Sequence, residues 1–441
     1  MWGQSLKESA FDLEYDEYPV YSDVKVYATS PCPSQFANTS LEGETVEHNF
    51  VDGICSACGV LADLPLNEDG FYEISNVGEL YKFAELVSEG NITINAKLVN
   101  DIVINENVLT DGELSENSSD FLDWDPIKSD TNSLYPYFKG EFDGNNKVIY
   151  GLFNIDNRNS ALFAGLSPGG YIHNLGIEDS YFESENNYTV SSIVANNYGT
   201  IENCYSTATV KGREAVAGIV AFNEATVNNC FFAGSVVGAT GNVENFYLGA
   251  IVGSNNVDSV LINNYYLENC AVDCNGVVQA GTGSADSSTP EVDIAGQTKS
   301  ATEEEFISGR VWYYLQKNTD DGIWGQDIKT SESDTDYDKY PVLGGEKVYI
   351  STPCPTEYSN TPFTEDTTEH TYNDKGYCSF CKAQQPADTN AEGFYEIYNA
   401  GQLFHFAGLV NSGATTIKGK LMADITVNEA LYKENGSAHF M

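Results

Sequence analysis

Between about Tyr150 and Cys270, short runs of β-branched and aromatic residues alternate with Asn, Gly and Ser, and one pattern returns several times. Ser191 to Val210 reads SSIVANNYGTIENCYSTATV and Ala217 to Val236 reads AGIVAFNEATVNNCFFAGSV, in register at an offset of 26 residues. Ile193 then answers Ile219, Ile201 answers Val227, Asn203 answers Asn229 and Cys204 answers Cys230. A looser copy from Leu248 carries three extra residues in its turn, and a degenerate one from Ser160 carries two. The apolar runs, roughly four to six residues each, are too short and too often broken for helices and predict strands. One such passage cannot bury its own apolar face, but stacking passages about 4.8 Å apart can. The expected fold is mainly β, a parallel β-solenoid (β-helix). Ile172, Ile201, Val227 and Ile262 form one apolar column, with Asn174, Asn203, Asn229 and Asn264 as an amide ladder beside it. A β-sandwich of repetitive hairpins is the alternative, which a 26-residue offset suits less well.

Helical periodicity appears where Val77, Leu80, Phe83 and Val87 make one stripe, with Asn76 as N-cap, Glu79 three residues on and Gly90 as the stop. Asn399, Gln402 and Gly413 repeat these signals. A helix placed before a coil stack is expected to cover its open end, where strand edges would otherwise be exposed. Thr302 with Glu305 makes a capping box for a helix to about Lys317, whose Phe306 and Tyr313 would close the far end. Strands are expected within Ala96 to Ile104, a polar loop over about Thr110 to Ser133, and a Gly, Ser, Thr and Asp linker over Gly281 to Thr298.

A second period is longer. Trp2-Gly3-Gln4 recurs as Trp324-Gly325-Gln326, Tyr18-Pro19-Val20 as Tyr340-Pro341-Val342, and Lys25-Val26-Tyr27 as Lys347-Val348-Tyr349, all at an offset of 322. The expected organisation is 1–28, the tail of one unit; 29–66, a Cys/His knuckle; 67–330, a helix-capped solenoid with its closing helix; 331–350, a terminal strand segment; 351–388, a second knuckle; and 389–441, the start of a second solenoid. Both ends read as cut, which makes the chain a fragment of a longer array.

The 26-residue pattern resembles the GLUG-motif repeats of bacterial surface proteins, whose core runs G-G-L-V-G-x-N-x-G-x-I-x-N-C-Y-x-x-G-x-V. Gly218, Ile219, Val220, Asn223, Val227, Asn229 and Gly234 match it, as do Gly249, Ile251, Val252, Gly253 and Asn255, while Ser191 and Ser192 stand where the family prefers Gly-Gly. The resemblance implies an adhesin-like surface protein, or the non-catalytic region of an IgA-specific metallopeptidase.

Charge narrows the partners. Against 65 Asp and Glu stand 21 Lys and Arg, a formal charge of -44, which repels nucleic acid and anionic membrane alike. No apolar run is long enough to span a bilayer, and Met1-Trp2-Gly3 does not open a signal peptide, so an export signal and anchor would lie outside these residues. The expected setting is extracellular or at the cell surface, with a host or glycan ligand as partner.

Of the 10 cysteines, six recur with a histidine: Cys32, His48, Cys55 and Cys58, answered by Cys354, His370, Cys378 and Cys381. A C-x-x-C pair lets two sulfurs reach one tetrahedral ion, and a third Cys and a His complete the set, so each knuckle is expected to bind one structural zinc. A Cys-Cys bridge within C-x-x-C is the alternative; it leaves one thiol over per knuckle and does not explain the repeated His. Oxidation in an exported setting favours the bridge, whereas the apolar-poor knuckles need metal to fold. The alternating carboxylates Asp12, Glu14 and Asp16, answered by Asp334, Asp336 and Asp338, could ligate calcium, though an exposed strand face accounts for them better. Cys204 and Cys230, one passage apart, are expected as packed free thiols, and Cys270 with Cys274 could bridge or stay free. No catalytic motif appears, and His173, His405 and His439 each stand alone, so no enzyme is expected. The alternative is a polysaccharide-active β-helix with two carboxylates across a groove.

Overall fold

The computed structural model describes residues 2–7, 15–22, 24–28, 36–38, 48–56, 58–129, 137–155, 159–184, 189–238, 247–283, 298–317, 319, 322–331, 333–350, 358–360, 370, 372–378 and 383–427. Two compact units are present, 1–303 with 315–323, and 304–314 with 324–441.

The first unit is mainly β, and its largest sheet has 12 strands. Tyr171–Glu178 pairs in parallel with Glu141–Tyr150 on one side and with Thr200–Glu202 and Tyr205–Ser206 on the other. Thr226–Asn228 and Phe231–Phe232 follow, then Val260–Ile262 and Asn264–Leu267, all parallel. Three more sheets are parallel throughout. One runs through Phe153–Ile155, Tyr181–Glu183, Thr209–Gly212, Ser235–Gly238 and Ala271–Val272. Another runs through Phe163–Leu166, Val194–Asn197, Val220–Asn223 and Val252–Asn255, and a third through Thr189–Val190, Ala215–Ala217 and Tyr247–Gly249. Successive passages visit these sheets in the same order, and each strand pairs with its equivalent in the passage before, the three smaller sheets holding five, four and three such strands among the described residues. Such an organisation is compatible with a β-helix, and its parallel ladders are not those of hairpins.

The register corrects two expected positions. Ile172, Ile201 and Val227 do stack, but Leu261 completes the column, and Ile262 is exposed. Likewise the amide ladder runs from Asn174 through Asn203 and Asn229 to Asn263, not Asn264. Equivalent residues lie 34 apart at Val227 and Leu261, and 35 apart at Val236 and Ala271, so one of the extra residues falls after the ladder instead of before it. With two apolar residues and then two asparagines adjacent, the pattern alone could not choose. Each ladder asparagine is left-handed, with φ of 54°, 51°, 55° and 52°, a conformation Asn tolerates better than branched residues. A second ladder, Asn197 to Asn223 to Asn255, was not anticipated.

Helix α1, Val77–Ser88, buries Leu80, Phe83 and Val87, and Phe83 packs on Phe138 and Phe142 at 5.7 and 5.6 Å between ring centres. Asn76 Oδ1 accepts the Glu79 N–H at 3.0 Å, while Glu79 reaches back to the Ser75 N–H at 2.6 Å, one residue before the cap. The single helix expected to about Lys317 is instead two, α2, Glu303–Ile307, and α3, Arg310–Gln316. Gly309 breaks it at φ 82°, where added side-chain bulk would overlap Ile328. Phe306 and Tyr313 belong to the second unit, where they meet Tyr340 and Tyr358. That unit also holds α4, Ala400–Asn411, between parallel strands Phe394–Ile397 and Lys418–Leu421. Most of the expected linker, 284–297, lies outside the described residues.

Candidate metal centre

Phe50–Val51 and Ile54–Cys55 form an antiparallel hairpin around Asp52 and Gly53, both at positive φ, 48° and 75°. Two left-handed residues give the turn that matches strand twist, hence the Asp-Gly. Cys55 thereby lies opposite Phe50, two residues from His48. The Cys55 N–H donates to Val60 O at 2.9 Å and the Gly59 N–H to Cys55 O at 2.8 Å, which folds the C-x-x-C segment back on itself. Ligand atoms of His48, Cys55 and Cys58 all lie within 4.8 Å of one another, and Cys58 Sγ is 3.6 Å from His48 Nδ1. Zinc bonds of about 2.3 Å to sulfur and about 2.1 Å to nitrogen make the S to N edge of a tetrahedron about 3.6 Å. Cys55 is buried, His48 partly so, and Cys58 exposed, so one side opens to solvent. Among the described residues no other such group of His, Cys, Asp or Glu occurs. Cys32 lies outside them.

The second knuckle repeats this scaffold. Tyr372 bridges Cys378 in antiparallel fashion, and the Cys378 N–H donates to Ala383 O at 2.8 Å, as Cys55 does to Val60. His370 lies 5.7 Å from Tyr372 between ring centres, and His48 lies 5.5 Å from Phe50. The residue inserted between His370 and Cys378 sits in the hairpin turn, where Asn373 Oδ1 accepts the N–H groups of Lys375 and Tyr377, both at 3.1 Å. A longer turn thus leaves Tyr372 opposite Cys378, as Phe50 is opposite Cys55, with the His two residues earlier in each knuckle. Cys354 and Cys381 lie outside the described residues.

Both hairpins dock on a helix N-terminus, a relation the motif did not reveal. The Gly78 N–H donates to Asp52 O and the Gly401 N–H to Lys375 O, each at 2.8 Å. A side chain at Gly78 or Gly401 would overlap the backbone of Gly53 or Gly376. The recurring Gly after the helix cap was the available signal.

No known protein family and no curated protein matches this chain. Among solved structures it is similar to a candidate immunoglobulin A1 protease from Bacteroides ovatus, at 16% identity and a TM-score of 0.41, over 65% of this chain and 95% of that one. A likeness of that degree transfers neither fold nor activity.

The remaining candidates are engaged elsewhere. Asp338 accepts the Asp327 N–H at 2.7 Å, and Asp334 accepts the N–H and hydroxyl of Thr330, bonds that hold its carboxyl below the usual range. Asp12 and Glu14 lie outside the described residues. Cys204 and Cys230 are buried free thiols, each pointing at the carbonyl two residues back at 3.2 Å. Cys270 is buried and Cys274 exposed, both free, and burial pushes the Cys270 thiol up to about 12. His405 Nδ1 accepts the Ala387 N–H, and His439 lies outside the described residues.

His173 is less isolated than its sequence neighbours suggest. Its ring stacks on Tyr171 at 4.2 Å, its Nε2 lies 3.0 Å from Glu141 Oε1, and its Nδ1 lies 3.6 Å from Asp143 Oδ1. Tyr171 donates to Glu202 at 2.6 Å, and Asn228 donates to the other Glu202 oxygen at 2.6 Å. Burial and the Glu202 charge push the Tyr171 phenol far up, so it keeps its proton. A polar cleft of about 500 Å³ borders these groups. Parallel pairing set this cluster: Asp143, His173, Glu202 and Asn228 share one row across the sheet.

Proposed function

We propose that this chain is a non-catalytic scaffold of an exported bacterial surface protein, in which the stacked parallel sheets form a β-solenoid rod and each knuckle holds one structural zinc ion. The observation carrying this reading is the strand-for-strand pairing of successive passages across four sheets, a continuous hydrogen-bonded ladder that makes a stiff surface. The GLUG-like pattern of 191–255 agrees with it, and no helix among the described residues is long and apolar enough to cross a membrane. The carboxylate of Glu202 is occupied by Tyr171 and Asn228, which argues against Glu202 as a ready acid or base. On this reading the units are those drawn from the 322-residue period, and the partner is a host or glycan ligand.

For zinc, the support is the 3.6 Å ligand spacing in the first knuckle and the matching hairpin in the second. The full sets would be Cys32, His48, Cys55 and Cys58, and Cys354, His370, Cys378 and Cys381. Thiolate ligation would supply folding energy to segments poor in apolar residues. Native mass spectrometry of protein purified without chelator should find two zinc ions, and one in Cys58→Ser; a metal-free protein lacking two thiols per knuckle would reject the sites. Incubation with mucin-type and plant glycans should leave them intact. Cleavage abolished by a Glu202→Gln change would establish an enzyme instead.

A further inference from the structure

Residues 2–38 and 324–360 are two copies of one small module. Trp2 pairs with Tyr21 as Trp324 does with Leu343. Gln4 Nε2 donates to Asp16 O at 2.9 Å and Gln326 Nε2 to Asp338 O at 3.0 Å. The Leu6 N–H donates to Asn38 Oδ1 at 2.7 Å and the Ile328 N–H to Asn360 Oδ1 at 2.8 Å. Sequence divergence between the copies has left the hydrogen-bond frame unchanged.

Their surfaces differ sharply. Trp2 is 66% exposed and Trp324 1%, Tyr21 is 78% exposed and Leu343 9%, and Val26 is 39% exposed and Val348 3%. In the second copy, residues 304–314 of helices α2 and α3 pack against the module within the same unit. Phe306 meets Tyr340 edge-on at 5.4 Å between ring centres, and its carbonyl accepts from Gln326 Nε2 at 2.8 Å. Gly309 packs against Ile328, and Tyr313 lies 5.7 Å from Tyr358. The first copy presents the matching groups, Tyr18, Gln4 and Leu6, with Tyr18 exposed. Large aromatic side chains gain by leaving water, so a bare Trp and Tyr on a module whose second copy is covered mark a docking face.

We infer that the Trp2, Tyr18 and Tyr21 face is the receptor for a helix–glycine–helix segment of the same type as 303–316, contributed by another unit of this repeat class. The Phe anchor would sit over Tyr18, its carbonyl would take the second amide proton of Gln4, and the glycine would allow close approach at Leu6. This deepens the tandem-unit reading by naming the contact that joins units, and its failure would leave the stacked sheets intact.

Trp2 alone of the four tryptophans is exposed, so acrylamide quenching of the whole chain reports this face directly. The probe is a copy of residues 296–323, with phenylalanine for its tryptophan, fused ahead of Trp2 to reproduce the spacing found before Trp324. The Trp2 quenching constant should fall at least threefold and its emission shift to the blue. A graft carrying Phe306→Asp should leave Trp2 as quenchable as in the unfused chain. A peptide of residues 302–317 carrying the same Trp312→Phe change, added at high concentration, should protect Trp2 in the unfused chain, which guards against a graft that misfolds. Unchanged quenching with both graft and peptide would overturn the proposal. So would protection of Trp2 in the unfused chain by its own dimerisation, seen in sedimentation. Unchanged far-ultraviolet dichroism alongside a negative result would show that the solenoid reading survives the loss of this one.

Discussion

Replacing Asn203 separates the two tasks that the ladder asparagines perform. Its Nδ2 donates to Asn174 Oδ1 at 3.2 Å, its Oδ1 accepts from Asn229 Nδ2 at 2.7 Å, and its backbone is left-handed at φ 51°. Asn203→Ala removes both hydrogen bonds and also forces a Cβ into a conformation alanine disfavours. Asn229 is fully buried and loses an acceptor, a cost of about 2 kcal/mol, while Asn174 is half-buried and can turn to water, a cost of about 1 kcal/mol. The left-handed backbone adds about 1 kcal/mol for alanine over asparagine. Asn203→Ala should therefore cost about 4 kcal/mol, and Asn203→Gly, which keeps the backbone but loses the ladder, about 3 kcal/mol. Urea unfolding of the full chain followed by far-ultraviolet dichroism measures both. An alanine variant within about 0.5 kcal/mol of the parent would remove the ladder as a source of stability. A glycine variant less stable than the alanine one would mean that residue 203 is not left-handed.

Val227→Asp should destabilise the stack by several kcal/mol, since it sets an unpaired charge between Ile201 and Leu261, and an unchanged β spectrum and melting point would exclude that column. Gly78→Ala should push the first hairpin off α1 and lower zinc occupancy of that knuckle alone, measured by native mass spectrometry against an unchanged second site. Alkylation of the native, zinc-loaded chain at pH 8 should label Cys274 but spare Cys204, Cys230 and Cys270, which peptide mapping checks. With its pKa raised from 9.0 to about 12, the Cys270 thiol contributes stability that is fully present below pH 9 and lost as pH rises toward 12, so the urea midpoint should fall across that window. Cys270→Ala should make that fall shallower without abolishing it, since burial also pushes the phenols of Tyr81 and Tyr150 up to about 12.

What was legible in the sequence is what short-range pattern encodes. A 26-residue spacing of β-branched residues, recurring turn asparagines and capped helices specified parallel strands, the start of α1 and α4, and the partners of Ile201 and Asn203, because each depends on local propensity and a constant offset. Cys and His spacing placed His48, Cys55 and Cys58 together for the same reason. The tertiary structure decided what adjacent equivalents could not. Leu261 and Ile262, or Asn263 and Asn264, are interchangeable in composition, and only inter-strand hydrogen bonding sets which of the first pair faces inward and which of the second joins the ladder. The break at Gly309 follows from the close approach of Ile328, nineteen residues away, and the cluster around His173 from a row whose neighbours are 26 to 30 residues apart in sequence. Nor does sequence distinguish Trp2 from Trp324, since both head the same motif; exposure belongs to what packs against them, a property of the assembled surface and not of the strand that carries them.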